Sequence, residues 1–332
     1  MDRQQANTLP PPPGVIKSLR AGFDTVANHI VAILLPIGLD LLLWLGPRLR
    51  LKQLLQPLIA QFNAFPTGNA FSLTDIQRAQ DVWKQFADQF NLLSILRTLP
   101  IGVSSLMSGS MPIRTPLGEP AVMQVSSFIS LIGWLGVIIV AGWIGGSLYY
   151  YWISAIILNR EQDQVTSSWK AILQTILLSV TWLIILCIVG FPAAIIFSIL
   201  FVISPFLAQV AVFILALVAL WLIVPVFFSP YGIFIRQQDA FRSIVSSIQM
   251  TRFTLPTSSL FVLAVFVIGQ GFNLLWSVPD AASWMTLIGI AGHAFITTAL
   301  LAASFIYYRD MNAWLKTVLE RLQTRDISSA PV

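Results

Sequence analysis

Along this chain the apolar positions gather into long unbroken runs separated by short polar joints, instead of alternating as they do in a soluble fold. A helix needs roughly 20 apolar residues to cross a hydrocarbon core of about 30 Å. Cutting the runs by that length, and by where charge returns, predicts six transmembrane helices. They fall at His29 to Gly46, Ser126 to Leu158, Ala171 to Val202, Phe206 to Phe228, Ser258 to Val278 and Trp284 to Tyr308. The second and third are longer than a span requires, which implies tilt, a kink or continuation into water. The "GFP" at Gly190 to Pro192 is the expected kink.

Three stretches outside the spans show helical amphipathicity. Val15, Ile16, Leu19, Phe23, Val26 and Ile30 recur at three and four residues, a face suited to the inner leaflet, and Pro10 to Pro13 stops that helix extending backward. Leu51, Leu54, Leu55, Leu58, Ile59 and Phe62 form a second face. Ile76, Ala79, Trp83, Phe86 and Phe90 form a third, separated from the second by the "TGN" at Thr67 to Asn69. Packing on the membrane surface or on the spans is the simpler reading, and a ligand-binding outer domain is the other.

Composition agrees with the pattern. Hydrophobic residues make up 56% of the chain and charged ones 10%, and the mean hydropathy is +0.79, well outside the balance of a soluble protein. No Asp, Glu, Lys or Arg occurs between Lys170 and Arg236, or between Glu119 and Arg160. The expected class is an all-α integral membrane protein with about six transmembrane helices, amphipathic interfacial helices and a long helical outer loop. Its segments are an N-terminal arm and interfacial helix (1–28), a first span (29–46), an outer amphipathic segment (47–125), a five-helix membrane region (126–308) and a tail (309–332).

Charge then orients the spans. Arg3, Lys17, Arg20, Arg160, Lys170, Arg236, Arg242, Arg252, Arg309, Lys316, Arg321 and Arg325 share one side if the spans alternate, while the short turns near Ser204 and Asp280 carry no Lys or Arg. This bias predicts that both termini are cytoplasmic. "RLRLK" at Arg48 to Lys52 opposes it, but it opens a long segment, and long segments cross largely regardless of charge. The basic pI of about 9.6 has the same origin and suits anionic headgroups. Nucleic-acid binding would need a clustered basic soluble domain, which the sequence lacks.

Catalytic signatures are sparse. Two histidines, His29 and His293, and one cysteine, Cys187, exclude a zinc site of the usual ligand count and any internal disulfide, and no cofactor is expected. There is no phosphate-binding glycine loop, HExxH or nucleophile elbow. "GWIGG" at Gly142 to Gly146 contains a GxxxG spacing that permits close packing. Trp143, Tyr149, Tyr150, Tyr151, Trp152, Trp276, Trp284, Tyr307 and Tyr308 lie toward span ends and read as aromatic belts.

An ionisable residue inside a span is a functional candidate, and Asp40 is one. At about 1.5 Å per residue, Asp40 lies about 9 Å below the outer end of its span, His293 about 13 Å, Gln270 about 12 Å and Asn273 about 8 Å. The four form a candidate intramembrane polar cluster in one layer. The alternative is a carboxylate that reaches the outer interface or Arg48. Arg236, Arg242 and Arg252 are candidates for cytoplasmic headgroup or partner contacts; they belong to "SPYGIFIRQQDAFRSIVSSIQMTRFTLPTSS", Ser229 to Ser259. There Asp239 can start a short helix with Ala240, Ile244, Ile248 and Met250 apolar, ended by Pro256.

A span, a Pro, a few polar residues, then "AFRSIVSSIQMTR" and another span resembles the stand-alone multi-span proteins related to the membrane domain of bacterial glycerophosphodiester phosphodiesterases. The similarity covers about Ser126 to Tyr308. It implies a membrane fold in a bacterial inner membrane and little about activity. No hydrolase domain is attached here and a long outer segment is added, so phosphodiester cleavage is not implied. Two functional classes follow: a non-catalytic scaffold, envelope or complex-assembly protein, and a small-solute or ion transporter using the polar cluster. An intramembrane enzyme would need a nucleophile beside a base, and the spans offer none.

Overall fold

The computed structural model describes residues 11–61, 73–110, 114–158 and 168–329. The expected break at Thr67 to Asn69 lies outside them, as do Arg3 and Arg160. Almost every element is helical. In chain order they are α1 (Val15–Asn28), α2 (Leu34–Leu45), α3 (Lys52–Gln61), α4 (Leu73–Gln89), α5 (Phe128–Leu158), α6 (Ser168–Ile203), α7 (Pro205–Phe228), α8 (Tyr231–Ile235), α9 (Ala240–Trp276) and α10 (Thr286–Ser329). Five helices are long and apolar enough to cross a membrane, and a sixth span exists if the broken pair of α1 and α2 counts as one. This is an all-α membrane protein.

The boundaries differ from expectation in three places. The first span is a 3-10 turn, Ile30–Ile33, followed by α2 of 12 residues. That is about 18 Å of helix, too short to cross alone. His29, at φ −131 and ψ 56, breaks the chain between α1 and this turn. The inner helix and the fifth span are one element, α9, interrupted by non-helical φ/ψ at Thr254 just before Pro256. The tail is a continuation of α10, which runs on to Ser329. α6 contains Pro192 within a single helix.

The chain forms two compact units: Met1–Ile30 with Tyr150–Gly269 and Thr298–Val332, and Val31–Tyr149 with Gln270–Thr297. The first has an aromatic core. Phe261 stacks on Tyr307 with ring centroids 4.1 Å apart, Phe228 stacks on both Tyr307 and Tyr308, and Tyr231 meets Phe305 edge-on at 4.7 Å. Tyr307 and Tyr308 are therefore buried, as is Tyr149. The aromatic-belt expectation is corrected for these three: helix packing, not the interface, takes up their rings. Gly22 of α1 lies so close to α10 that a Cβ there would come within 2.5 Å of the Ala303 backbone nitrogen.

The second unit holds the amphipathic segment 47–125. α3 and α4 pack together. β1 (Arg48–Arg50) and β2 (Val122–Gln124) close the segment as a short parallel pair, with Leu49 opposite Met123. Leu49, Leu51 and Val125 bury their side chains with Leu92 and Ile138. A second cluster joins Leu43 and Trp44 to Leu106, Met107 and Ile290, and the Trp44 indole donates to the Ala281 carbonyl at 2.7 Å. Neither the strand pair nor the inward course of residues 96–110 was expected.

Candidate functional site

The first candidate site is built around Asp40 in the second unit. Its side chain is fully buried. Burying a carboxylate in apolar surroundings is costly unless charge-assisted hydrogen bonds satisfy it. Three donors do so, all from the segment after Gly102. Ser105 Oγ donates to Oδ1 at 2.5 Å, the Met107 N–H to Oδ1 at 2.9 Å and the Leu106 N–H to Oδ2 at 3.1 Å. The sequence held only a weak sign of this partner: Ser104, Ser105, Ser108 and Ser110 with Gly102 and Gly109 mark a loop, not a ligand set.

The same loop is held from two other directions. Ser104 Oγ donates to Thr297 Oγ1 at 2.7 Å, which ties it to α10. On α5, the GxxxG glycines admit loop backbone: a Cβ at Gly142 would meet Thr98 Cγ2 at 2.5 Å and the Leu96 oxygen at 2.6 Å, and one at Gly146 would meet Gly102 Cα at 2.7 Å. Gly142 and Gly146 lie about 21 and 27 Å along α5 by its rise. Non-helical backbone so far along a spanning helix has to find its hydrogen bonds within the protein, and the carboxylate of Asp40 supplies acceptors for two of its N–H groups.

His293 Nδ1 lies 3.8 Å from Asp40 Oδ2, with both side chains buried. That separation is beyond hydrogen-bond length. The structure thus brings Asp40 and His293 together. It does not bring in the other two members of the expected layer. Gln270 is exposed and Asn273 half-buried, and the Asn273 group that is hydrogen-bonded is its backbone carbonyl, which accepts from Ser277. Similar depth puts residues in one layer but not on one side of a helix, and Gln270 points out of the bundle.

The second candidate site lies in the first unit, on α8, α9 and α10. Arg236 donates from Nη1 to Asn312 Oδ1 at 3.3 Å. Arg242 and Arg252 are exposed on α9. Of the expected apolar positions, Ala240 and Met250 are buried, Ile244 is half-buried and Ile248 is exposed. Ser243, Ser247, Met250, Thr251 and Thr254 are buried, whereas Phe241, Val245, Ile248 and Phe253 are exposed.

Helix-end carbonyls explain the buried serines. At the end of α7 the Ser229 N–H bonds to Val226 instead of Pro225, and the Ile233 N–H bonds to Pro230 instead of Ser229. The Pro225 and Ser229 oxygens are left over, and Ser247 Oγ donates to the first at 2.5 Å while Ser243 Oγ donates to the second at 2.6 Å. The serine face must therefore pack inward together with Ala240 and Met250, and Phe241, Val245, Ile248 and Phe253 turn outward with the two arginines.

Among the described residues, no three His, Cys, Asp or Glu side chains sit together as a metal would require. In comparisons with family models, curated proteins and solved structures, the chain matches none.

Proposed function

We propose that this chain is a non-catalytic multi-pass protein with a scaffold or complex-assembly role, resident in a bacterial inner membrane with both termini cytoplasmic. The observation that carries the reading is the use made of Asp40. Its oxygens serve as acceptors for the Ser105 hydroxyl and the Leu106 and Met107 N–H groups, which makes it an anchor for a loop. A transporter needs its intramembrane carboxylate to exchange protons or ions with water, and a scaffold needs only that its hydrogen bonds be satisfied.

The exposed face of α9 supports a lipid-facing role at the inner leaflet. Phe241, Val245, Ile248 and Phe253 offer apolar area and Arg242 and Arg252 offer charge to anionic headgroups. The resemblance to the membrane domains of phosphodiesterases fits a membrane-embedded assembly module. The transporter remains the second reading, favoured by the proximity of His293 to Asp40.

Flux measurements separate the two. Proteoliposomes containing the wild type, followed with pH- and voltage-sensitive dyes, are expected to leak no faster than protein-free vesicles. Ion flux that the wild type carries and Asp40→Asn loses overturns the scaffold reading in favour of transport.

A further inference from the structure

An open groove of about 550 Å³ in the first unit is lined by Arg236, Ser246, Gln249, Asn312 and Lys316. Its depth is set by the sequence. Arg236 is the first charge after the uncharged stretch that begins beyond Lys170, and Arg309 and Asp310 are the first charges to follow the apolar part of α10. One wall of the groove therefore starts at Arg236, where charge returns at the end of a span, and the other starts at Asn312, three residues past Arg309, and follows α10 to Glu320. The level at which charge returns is the layer in which lipid phosphates lie.

We infer that this groove binds a single phosphate group, that of an anionic phospholipid headgroup, through Arg236 and Lys316. The inference rests on the membrane reading above but not on the absence of catalysis. Arg236 is held in place by a neutral amide. Asn312 Nδ2 donates to the Tyr308 carbonyl at 2.8 Å, which turns Oδ1 toward Arg236. A guanidinium has five N–H donors in a planar fork, so this contact leaves most of the fork for a phosphate, which Arg binds bidentately. The Gln249 amide lies at the same groove and adds neutral donors.

Charge and polarity narrow the ligand. Lys316 and Glu320 approach to 3.9 Å, and both are largely exposed, so the pair is worth little and does not hold the ammonium away from a ligand. Arg236 and Lys316 against Glu320 leave one net positive charge in the lining, which matches a monoanionic phosphodiester better than a polyphosphate. Met250, Leu315 and Leu319 supply an apolar wall suited to the glycerol and first methylenes of a lipid. A free phosphate shares the anion chemistry and has no use for that wall.

The test uses the full chain in nanodiscs of neutral phosphatidylcholine doped with phosphatidylglycerol, with retained lipid counted by native mass spectrometry. Arg236→Gln combined with Lys316→Gln is expected to lower phosphatidylglycerol affinity about tenfold, the scale of losing charge-assisted hydrogen bonds. Lys316→Gln alone changes an exposed side chain that the fold does not need, and should give about a two- to threefold loss. Millimolar inorganic phosphate should leave the bound lipid in place; if it displaces the lipid, the phosphate site stands and its ligand is soluble. Wild-type retention in both variants overturns the groove. If Arg242→Gln with Arg252→Gln removes the lipid instead, headgroup contact belongs to the open face of α9 and the groove assignment fails by itself.

Discussion

The carboxylate of Asp40 lies 2.9 Å from the backbone nitrogen of Met107, so that a side chain on α2 holds a loop from beyond α3 and α4. Asp40→Leu removes every acceptor and strands two buried N–H groups and a hydroxyl. It should destabilise the protein by several kcal/mol, on the order of 1–3 kcal/mol per orphaned group. Asp40→Asn keeps one oxygen and should cost less. Thermal unfolding in detergent, followed by tryptophan fluorescence, ranks the two, and equal midpoints for Asp40→Leu and wild type refute the anchor.

The glycines of α5 give a second expectation. Gly142→Val and Gly146→Val place carbon where Thr98, Leu96 and Gly102 already lie, and both should expel the loop, free the buried Thr98 and speed tryptic cleavage after the already exposed Arg97. Gly133→Ala and Gly136→Ala meet nothing within 4 Å and should be neutral or stabilising by up to about 1 kcal/mol. Identical protease patterns in all four variants would show that the close approach does not hold the loop.

Ser243 and Ser247 are expected to matter more than serines of ordinary helix surfaces. Replacing either by Ala leaves a helix-end carbonyl without its donor, at about 1–3 kcal/mol. Ser198, which bonds back to Ala194 within its own exposed helix, is the control, and Ser198→Ala should change stability by less than about 0.5 kcal/mol. Unfolding midpoints of the three variants make the comparison. A loss at Ser198 as large as at Ser247 contradicts the carbonyl argument.

Much of the architecture was legible because apolar runs and absent charge are one-dimensional signals. Five long helices follow from them directly. α2 was not legible as a short helix, since nothing in "HIVAILLPIGLDLLLWL" shows that the chain breaks at His29. Asp40 stood out as an expensive residue, and its cost was readable from composition alone. Its partners were not, because two of the three are backbone N–H groups that carry no residue code. The burial of Ser243 and Ser247 on α9 was not legible for a related reason: the carbonyls that they complete are backbone groups at a helix end, and a serine that satisfies one has more to gain from packing inward than from facing water or lipid.

Sidedness is checked with single cysteines in a Cys187→Ser background. Lys84→Cys on α4 and Arg242→Cys on α9 both sit at exposed positions. A membrane-impermeant maleimide added to intact cells should label the first and reach the second only after lysis. Labelling of both from outside contradicts the charge-based orientation.

The distance along the chain between Asp40 and its donors, 65 to 67 residues, is also a delay. At roughly 5–20 residues per second of synthesis, the carboxylate leaves the ribosome about 3 to 13 seconds before the groups that satisfy it. During that interval the carboxylate has none of the three donors that satisfy it in the folded chain. Ser105 to Met107 emerge ahead of α5 and of the long apolar helices that follow. The acid is therefore made before any of its partners, and the loop that satisfies it is itself held only once the glycines of α5 and Thr297 of α10 have followed.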